Sequence, residues 1–166
     1  FVYPGLTFAV PSNGDRYQAK LIDAFPHEAD AIRQYFRDVA IAMKTFTLHH
    51  LQNNSQGLVR LLMRLAKAWF GFDLTLKTQT YLDEHFTDER LKALLASQWL
   101  DHGVPPANSL FALHATIVNH YLNGGYYPVG GAETIAQSVQ PIVEAAGGQV
   151  RLNREVIEII VEKGQA

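Results

Sequence analysis

The stretch that decides the fold is NGGYYPVGGAETIAQSVQPIVEAAGGQVRLNREVIEIIV, at residues 123–161. Apolar residues recur at helical spacing over 132–146 and predict one amphipathic helix. Gly130 and Gly131 stand directly before this helix, and a joint without side chains lets the backbone approach another group closely. Because the joint has no preceding strand, it is by itself weak evidence for phosphate binding.

The same stretch predicts the end of this helix and two strands after it. Gly147 and Gly148 end the helix, since glycine is common just past a helix end. Alternation of apolar and polar residues over 149–153 predicts one strand. The almost continuously apolar segment 155–161 predicts a second strand, covered on both faces. Pro141 inside the helix removes a backbone donor and predicts a kink.

The N-terminal part predicts a hairpin. LTFAV at residues 6–10 has the composition of a strand, and Asn13-Gly14 is a strong hairpin-turn signal. Residues 16–18 then form the returning strand, which places Tyr17 at a sheet edge. An edge hairpin that only covers the core fits the same pattern.

Between these ends, helical patterns follow one another without intervening strands. Pro26 favours a helix start, and the asparagines near residue 53 end this helix. Further helical patterns cover 58–72 and three segments between 75 and 121. Consecutive helices exclude a doubly wound sheet. We therefore predict an α+β fold: a mainly helical bundle of about five helices with short β-strands at both ends.

The composition indicates one folded domain with a small net charge. The chain has 166 residues, is 48% hydrophobic and carries a formal net charge of -2. A net charge this small gives no overall attraction to nucleic acid. The absence of cysteine excludes disulfides and thiol nucleophiles. The chain begins at Phe1 without an initiator methionine and closes on an apolar strand pattern, from which we expect a piece of a longer protein.

The segment 58–72, LVRLLMRLAKAWFGF, combines a basic stripe with a wide apolar face. Such a pattern resembles a helix lying in a membrane interface. The alternative is a core helix with one solvated basic face. The residues expected to contact a membrane are Arg60, Arg64, Lys67, Trp69 and Phe70.

No arrangement of residues predicts a metal site or a hydrolase. The seven histidines show no convergent spacing: His114 and His120, for example, are six apart, which places them on roughly opposite sides of a helix. There is no G-x-S-x-G turn, no P-loop and no G-x-G-x-x-G after a strand. We therefore expect no metal and no side-chain nucleophile.

The stretch from residue 126 to the end resembles the phytoene desaturase, carotenoid isomerase and retinol saturase group of flavin-dependent oxidoreductases. That group has the pattern Y-P-x-G-G, a helix, G-G, a short strand, then x-V-x-x-I-x-V and a glycine turn. A weaker resemblance covers 21–36, where LIDAFPHEADAIRQYF is similar to the family's F-P-x-E helix start. The specific matches are Tyr127, Pro128, Gly130, Gly131, Gly147, Gly148, Val156 and Ile159.

The resemblance implies FAD as the cofactor of the intact protein, although the fingerprint for this cofactor is absent from the chain. In that family, the loop at Pro128, Val129, Gly130 and Gly131 lies near the flavin ring. The residue at Val156 holds the adenine through its backbone. The alternative is that these glycines serve only folding, by forming a loop and by ending a helix.

The resemblance also implies that two regions of the chain have different roles. Residues 1–125 are expected to be a helical substrate-binding region with an N-terminal hairpin, and 126–166 a loop, helix and strands that return to the FAD-binding domain. Tyr17, Tyr126 and Tyr127 are the expected substrate-binding residues.

The implied function is that of a substrate-binding fragment of an FAD-dependent oxidoreductase. It would act on C–C bonds of a polyene or isoprenoid lipid by hydride transfer, and the fragment alone would be inactive. Expected partners are a hydrophobic small molecule, the rest of the flavoprotein chain and a membrane surface, but not nucleic acid. The expected location is cytoplasmic or peripheral to a membrane. The alternative is a stand-alone helical module that binds a lipid or a protein.

Overall fold

A computed structural model describes residues 1–164 of the chain. The chain divides into two compact units, with the boundary between Gly125 and Tyr126. The N-terminal unit contains the hairpin β1 (Val2–Tyr3) and β2 (Leu6–Thr7), then α1 (Gly14–Ala24), α2 (Ala29–Asn53), α3 (Gly57–Phe70), α4 (Thr78–His85), α5 (Glu89–Ala96) and α6 (Phe111–Tyr121). The C-terminal unit contains α7 (Glu133–Ala145). Short 3-10 helices cover Pro26–Glu28 and Ser97–Asp101.

The broad prediction of a mainly helical α+β fold is confirmed, but the number of helices is not. Residues 1–164 form seven α-helices rather than about five. One of the additional helices, α1, replaces the predicted returning strand. The side chain of Asn13 accepts a hydrogen bond from the amide of Arg16, so Asn13 acts as an N-cap and not as a hairpin turn. Tyr17 consequently lies on a helix.

The hairpin itself is shorter and earlier than predicted. Val2 pairs with Thr7 and Tyr3 with Leu6 in antiparallel register. Gly5, at φ +76°, closes the turn between them in a backbone conformation that suits glycine.

The two predicted C-terminal strands, 149–153 and 155–161, are not formed in this structure. Both segments are irregular, and their apolar side chains are exposed. A strand requires a partner that accepts and donates its backbone hydrogen bonds, and neither segment pairs with a strand among residues 1–164. The sheet predicted at this end is therefore wrong for the described residues. α7, by contrast, continues through Pro141.

The N-terminal unit is organised around α2. One face of α2 is buried against α1 and α6. In the last two turns of α2, by contrast, no residue is fully buried. An aromatic cluster fills the centre of the unit: the rings of Tyr81 and Phe111 are stacked at 3.8 Å between centroids, and Tyr35 packs against both. The buried residues of α2 are Ile32, Tyr35, Val39, Ala42 and Thr45.

Glu28 connects the start of α2 with the start of α5. It is buried, and its Oε1 accepts hydrogen bonds from the amide and hydroxyl of Thr87 at 2.7 Å each and from the amide of Asp88 at 2.8 Å. Burial alone would raise the pKa of Glu28, but these hydrogen bonds outweigh it and lower the pKa. Asp88 caps α5, since its side chain accepts hydrogen bonds from the amides of Arg90 and Leu91.

The second half of α2 and α3 form a helical hairpin. The turn between them contains Gly57 at φ +56°, and α3 ends at Gly71 in the left-handed conformation. α3 contacts α2 but has no fully buried residue. The observed bounds of α3 confirm the predicted helix near 58–72 and position its basic residues.

Candidate functional site

A cavity of about 250 Å³ opens in the N-terminal unit, between the segment before α1, α1 itself and the end of α6. Its wall is mostly apolar and includes Val10, Val118 and Leu122. Gly124 and Gly125 complete one side, where the absence of side chains keeps the space open. A small apolar cavity with few polar groups is suited to an apolar ligand segment.

Tyr17, predicted to bind substrate, lies in the wall of this cavity. Its ring packs edge-on against Phe8 at 6.0 Å and Phe36 at 5.6 Å between centroids. Burial, and secondarily the neighbouring Tyr3, raises the pKa of Tyr17. The phenol therefore stays protonated at neutral pH and can donate a hydrogen bond, but it cannot act as a base.

Tyr121 also lines the cavity and was not predicted as a binding residue. It follows Val118 by three positions on α6, so both side chains face the same side of the helix. The apolar pattern of α6 includes both residues, but nothing in that pattern shows that the segment before α1 lies opposite them.

The other two predicted tyrosines belong to the C-terminal unit. Tyr126 and Tyr127 are exposed, Tyr127 by 76%, and lie in an extended segment before the glycine pair. Their rings therefore do not form part of a packed core, and their role in substrate binding stays a prediction.

The predicted cofactor loop has a definite backbone geometry. Gly130 and Gly131 both have φ near +91°. The amide of Gly131 donates to the carbonyl of Pro128 at 3.0 Å, and the hydroxyl of Thr134 donates to the carbonyl of Gly131 at 2.7 Å. Val129, the remaining loop residue, is almost fully exposed.

The two glycines are required for different reasons. A Cβ on Gly130 would lie 2.8 Å from Cγ2 of Thr134, which is closer than carbon atoms approach. A Cβ on Gly131 would meet nothing within 4 Å, so only its positive φ disfavours other residues. The loop thus holds its shape through Thr134 and leaves the backbone at Gly131 open.

Val156, the other predicted cofactor residue, lies in the irregular C-terminal segment and is 74% exposed. Its backbone groups are not engaged in a strand. The predicted location in a covered strand is wrong for this structure, and its expected backbone contact to a cofactor stays a prediction.

The predicted membrane-contact residues on α3 differ in how exposed they are. Trp69 is 88% exposed, and Arg60 and Arg64 are also exposed. Lys67 is partly buried, with Nζ 3.4 Å from Nδ1 of His49. Phe70 packs toward α2, where Nζ of Lys44 lies 5.8 Å from its ring centre. Among residues 1–164, no helix is long and apolar enough to cross a membrane.

Histidines do not converge on a metal site in the described part of the chain. No group of three or more His, Asp or Glu side chains in residues 1–164 is placed to hold a metal ion. His114 is instead buried in the aromatic cluster, where Nε2 lies 2.9 Å from the hydroxyl of Tyr35. Sequence spacing along α6 gives no sign of this contact.

Comparison with known proteins relates most of the chain to polyene oxidoreductases. It is 30% identical over 159 residues to all-trans-retinol 13,14-reductase of Danio rerio, covering 93% of this chain and 26% of that protein. It is 28% identical over 166 residues to the inactive all-trans-retinol 13,14-reductase of the same organism, covering 95% of this chain and 27% of that protein.

A bacterial relative extends the resemblance. The chain is 38% identical over 81 residues to the neurosporene-forming phytoene desaturase of Cereibacter sphaeroides, covering 48% of this chain and 15% of that protein. The resemblance to the phytoene desaturase and retinol saturase group is thereby confirmed. The chain spans about a quarter or less of the length of these relatives. No family model and no solved structure matches it.

Proposed function

We propose that this chain is the substrate-binding part of an FAD-dependent oxidoreductase that acts on a carbon–carbon bond of a polyene or isoprenoid lipid. The observation that carries the proposal is the similarity to retinol 13,14-reductase along 93% of the chain. Retinol reductase and phytoene desaturase both act on conjugated hydrocarbon chains, so the shared segment is suited to recognising such a chain. Because one relative is an inactive reductase, similarity alone does not assign turnover.

The apolar cavity supplies the binding chemistry for this proposal. Val10, Val118 and Leu122 offer a dry wall, and burial of apolar area is the main source of affinity for a hydrocarbon. At about 250 Å³ the cavity accommodates one end of a polyene rather than its whole length. Tyr17, kept protonated, offers a hydrogen-bond donor to a terminal oxygen of the substrate.

The loop at Pro128–Gly131 fits a flat aromatic ring system laid against its backbone. Gly131 has open space where a side chain would stand, and Thr134 keeps the loop in place through the carbonyl of Gly131. Bound FAD would supply hydride acceptance or donation. Pro128, Val129, Gly130 and Gly131 would hold the ring, and Val156 would contribute backbone groups farther along the chain. These residues would position the ring through their backbone, and none of them is proposed as a nucleophile.

The test is the visible absorption spectrum of the longer protein that contains this segment, purified without added cofactor. We expect flavin bands that bleach when the enzyme is reduced with dithionite. The 166-residue chain alone is the matched control and should be colourless, because it carries no dinucleotide-binding fingerprint. A longer protein that is colourless and takes up no FAD on titration would overturn the proposal.

Loss of the cavity should separate substrate binding from cofactor binding in the same protein. A bulky side chain at Gly125 would fill the cavity opening and leave the flavin spectrum unchanged. Loss of flavin from that variant would instead show that residues 1–125 support the cofactor rather than the substrate. The alternative of a stand-alone lipid- or protein-binding module derives its support from the exposed face of α3.

A further inference from the structure

One wall of the apolar cavity is a short connection that few contacts hold in place. Residues 9–12 lie between β2 and α1, and three of them, Val10, Pro11 and Ser12, line the cavity. Within residues 1–164, these three residues make no backbone hydrogen bond. Val10 and Ser12 are also exposed. A segment with exposed residues and few hydrogen bonds is the kind that opens locally while the rest of the fold stays intact. We call residues 9–12 the strap.

Both ends of the strap are fixed. Phe8, directly before it, is 3% exposed and packs edge-on against Tyr17. Asn13, directly after it, caps α1 by accepting a hydrogen bond from the amide of Arg16. A loosely held segment between two fixed ends moves as one unit, because the residues at its ends absorb the change in backbone angles.

Among residues 1–164, one hydrogen bond ties the strap to α1. Nζ of Lys20 donates to the carbonyl oxygen of Ala9 at 2.7 Å and lies 5.0 Å from the ring centre of Phe8. Lys20 follows Tyr17 by three positions on α1, so this contact lies on the side of the helix that faces the cavity wall. In the same residues Lys20 forms no ion pair with an acidic side chain. Its ammonium group therefore serves the strap.

The far end of the strap lies against a part of the chain without side chains. A Cβ on Gly124 would lie 3.3 Å from Cβ of Ser12, so the two backbones approach closely there. Neither Ser12 nor Gly124 makes a hydrogen bond to the other among the described residues. This end of the cavity is consequently closed by van der Waals contact, and no polar bond has to break when the strap moves away.

We propose that the strap is the gate of the cavity: it swings away from Gly124 to admit a ligand, and Lys20 holds it closed. The two fixed ends, the one hydrogen bond and the side-chain-free contact all favour a movable wall. The inference rests on the proposed function, in which this cavity binds one end of the polyene. It adds that this chain controls how fast the ligand enters and leaves, because a gate acts on rates.

Stopped-flow binding of diphenylhexatriene to the 166-residue chain tests the gate. This conjugated hydrocarbon fluoresces strongly in apolar surroundings, and Gly125→Leu identifies the part of the signal that comes from the cavity. Lys20→Met keeps the apolar stem of the side chain and removes the ammonium group. We expect it to raise the association and dissociation rate constants about threefold to fivefold and to leave Kd unchanged, because opening becomes easier in the free and the bound protein alike.

Lys77→Met is the matched control. Nζ of Lys77 also donates to a backbone carbonyl, that of Asn108 at 3.1 Å, and Lys77 does not line the cavity. Its rate constants should equal those of the wild type. If Lys20→Met changes Kd without raising both rate constants, or changes nothing, the strap is a fixed wall and the proposal is wrong.

A reversible lock tests the same movement without changing Lys20. The chain has no cysteine, and the 3.3 Å between the two Cβ positions is close to the spacing of about 3.8 Å in disulfides. Oxidised Ser12→Cys with Gly124→Cys should slow binding at least tenfold, and dithiothreitol should restore the rate. Gly124 has φ +93°, so a cysteine there is strained. That strain is common to both redox states, and equal rates in the two states would contradict the gate.

The outcomes separate the gate from the proposed function. If Gly125→Leu removes the fluorescence but neither Lys20→Met nor the lock changes the rates, the cavity binds the hydrocarbon and only the gate is wrong. If the fluorescence is the same in the wild type and in Gly125→Leu, the hydrocarbon does not enter the cavity. That result overturns both the gate and the assigned substrate site. Neither measurement involves flavin, so they do not depend on the proposed cofactor.

Discussion

The hydroxyl of Tyr35 lies 2.9 Å from Nε2 of His114, and this contact joins α2 to α6 inside the aromatic cluster. Both side chains are almost completely buried. Burial, and secondarily the neighbouring His102, lowers the pKa of His114 to about 4. The imidazole is therefore neutral in the folded protein over most of the accessible pH range, and its packing depends on that neutrality.

The first prediction concerns stability between about pH 6.5 and pH 4. The unfolded chain protonates His114 with a pKa near 6.5, whereas the folded chain does so only at about 4. As the pH falls through this window the unfolded state binds the extra proton, so the free energy of unfolding should decrease, by about 3 kcal/mol in total. Urea unfolding at several pH values measures the slope.

His114→Gln is the matched variant for this prediction, because it keeps a polar group opposite Tyr35 and removes the titration. Its stability should be lower at neutral pH and should fall less steeply between pH 6.5 and 4. An identical slope in both proteins would show that His114 does not account for the pH dependence.

The second prediction concerns Glu28. Glu28→Ala removes the acceptor for three hydrogen bonds from Thr87 and Asp88 and leaves those donors partly buried. We expect a loss of about 2–3 kcal/mol in the free energy of unfolding. Glu84→Ala, at an exposed position of α4, should change stability by less than about 0.5 kcal/mol.

The pH dependence of the Glu28 contribution has a definite sign. Its pKa is lower in the folded chain than in the unfolded chain, so its stabilisation is present above the ordinary pKa of a glutamate and is lost as the pH falls through the folded value. The difference in stability between the wild type and Glu28→Ala should therefore shrink in acid. A difference that is constant with pH would contradict this.

The third prediction uses the contact between Gly130 and Thr134. Gly130→Ala should distort the loop, because the new Cβ meets Cγ2 of Thr134, and should lower FAD affinity of the longer protein at least tenfold if the loop holds the ring. Adding Thr134→Ser removes Cγ2 but keeps the hydroxyl that bonds the carbonyl of Gly131, so it should restore part of the affinity. FAD titration by fluorescence measures both.

Gly147→Ala is the control for the loop. This glycine also has a positive φ, and a Cβ there meets nothing within 4 Å, so the substitution carries the backbone strain without the contact to Thr134. We expect a modest loss of stability and no change in FAD affinity. Equal losses of affinity in Gly147→Ala and Gly130→Ala would mean that both glycines serve only the fold.

The fourth prediction concerns the cavity. A Cβ on Gly125 would lie 3.7 Å from the ring of Tyr121, which is ordinary contact, so Gly125→Ala should be tolerated. Gly125→Leu should occupy the opening and lower kcat/KM for a polyene substrate roughly tenfold, chiefly through KM. Equal activity of the alanine and leucine variants would exclude this cavity from substrate binding.

The sequence predicted helix bounds well where the apolar periodicity extended over several helical turns. α3 and the end of α2 lie within two residues of their predicted bounds. The pattern failed at Asn13-Gly14, because an asparagine before glycine can cap a helix as well as form a hairpin turn. A dipeptide signal does not distinguish these outcomes, since the deciding hydrogen bond comes from Arg16, three residues later.

Contacts between residues far apart in the chain could not be predicted from local sequence patterns. Tyr35 and His114 are 79 positions apart, and Glu28 bonds residues 59 and 60 positions away. The cavity likewise combines residues before α1 with residues of α6. The strand predicted over 155–161 failed for the converse reason: composition favoured a buried strand, but strand formation depends on a partner that the composition of the segment does not specify.

α2 is a single helix of 25 residues, about 37 Å long, that passes from the buried aromatic cluster to a hairpin in which no residue after Thr45 is buried. Resistance to amide hydrogen exchange should therefore fall along one uninterrupted helix. Amides near Val39 would exchange only when the whole unit unfolds, whereas amides from residue 47 onward would exchange when α3 alone detaches. The hairpin can thus open and reclose while the aromatic centre remains intact.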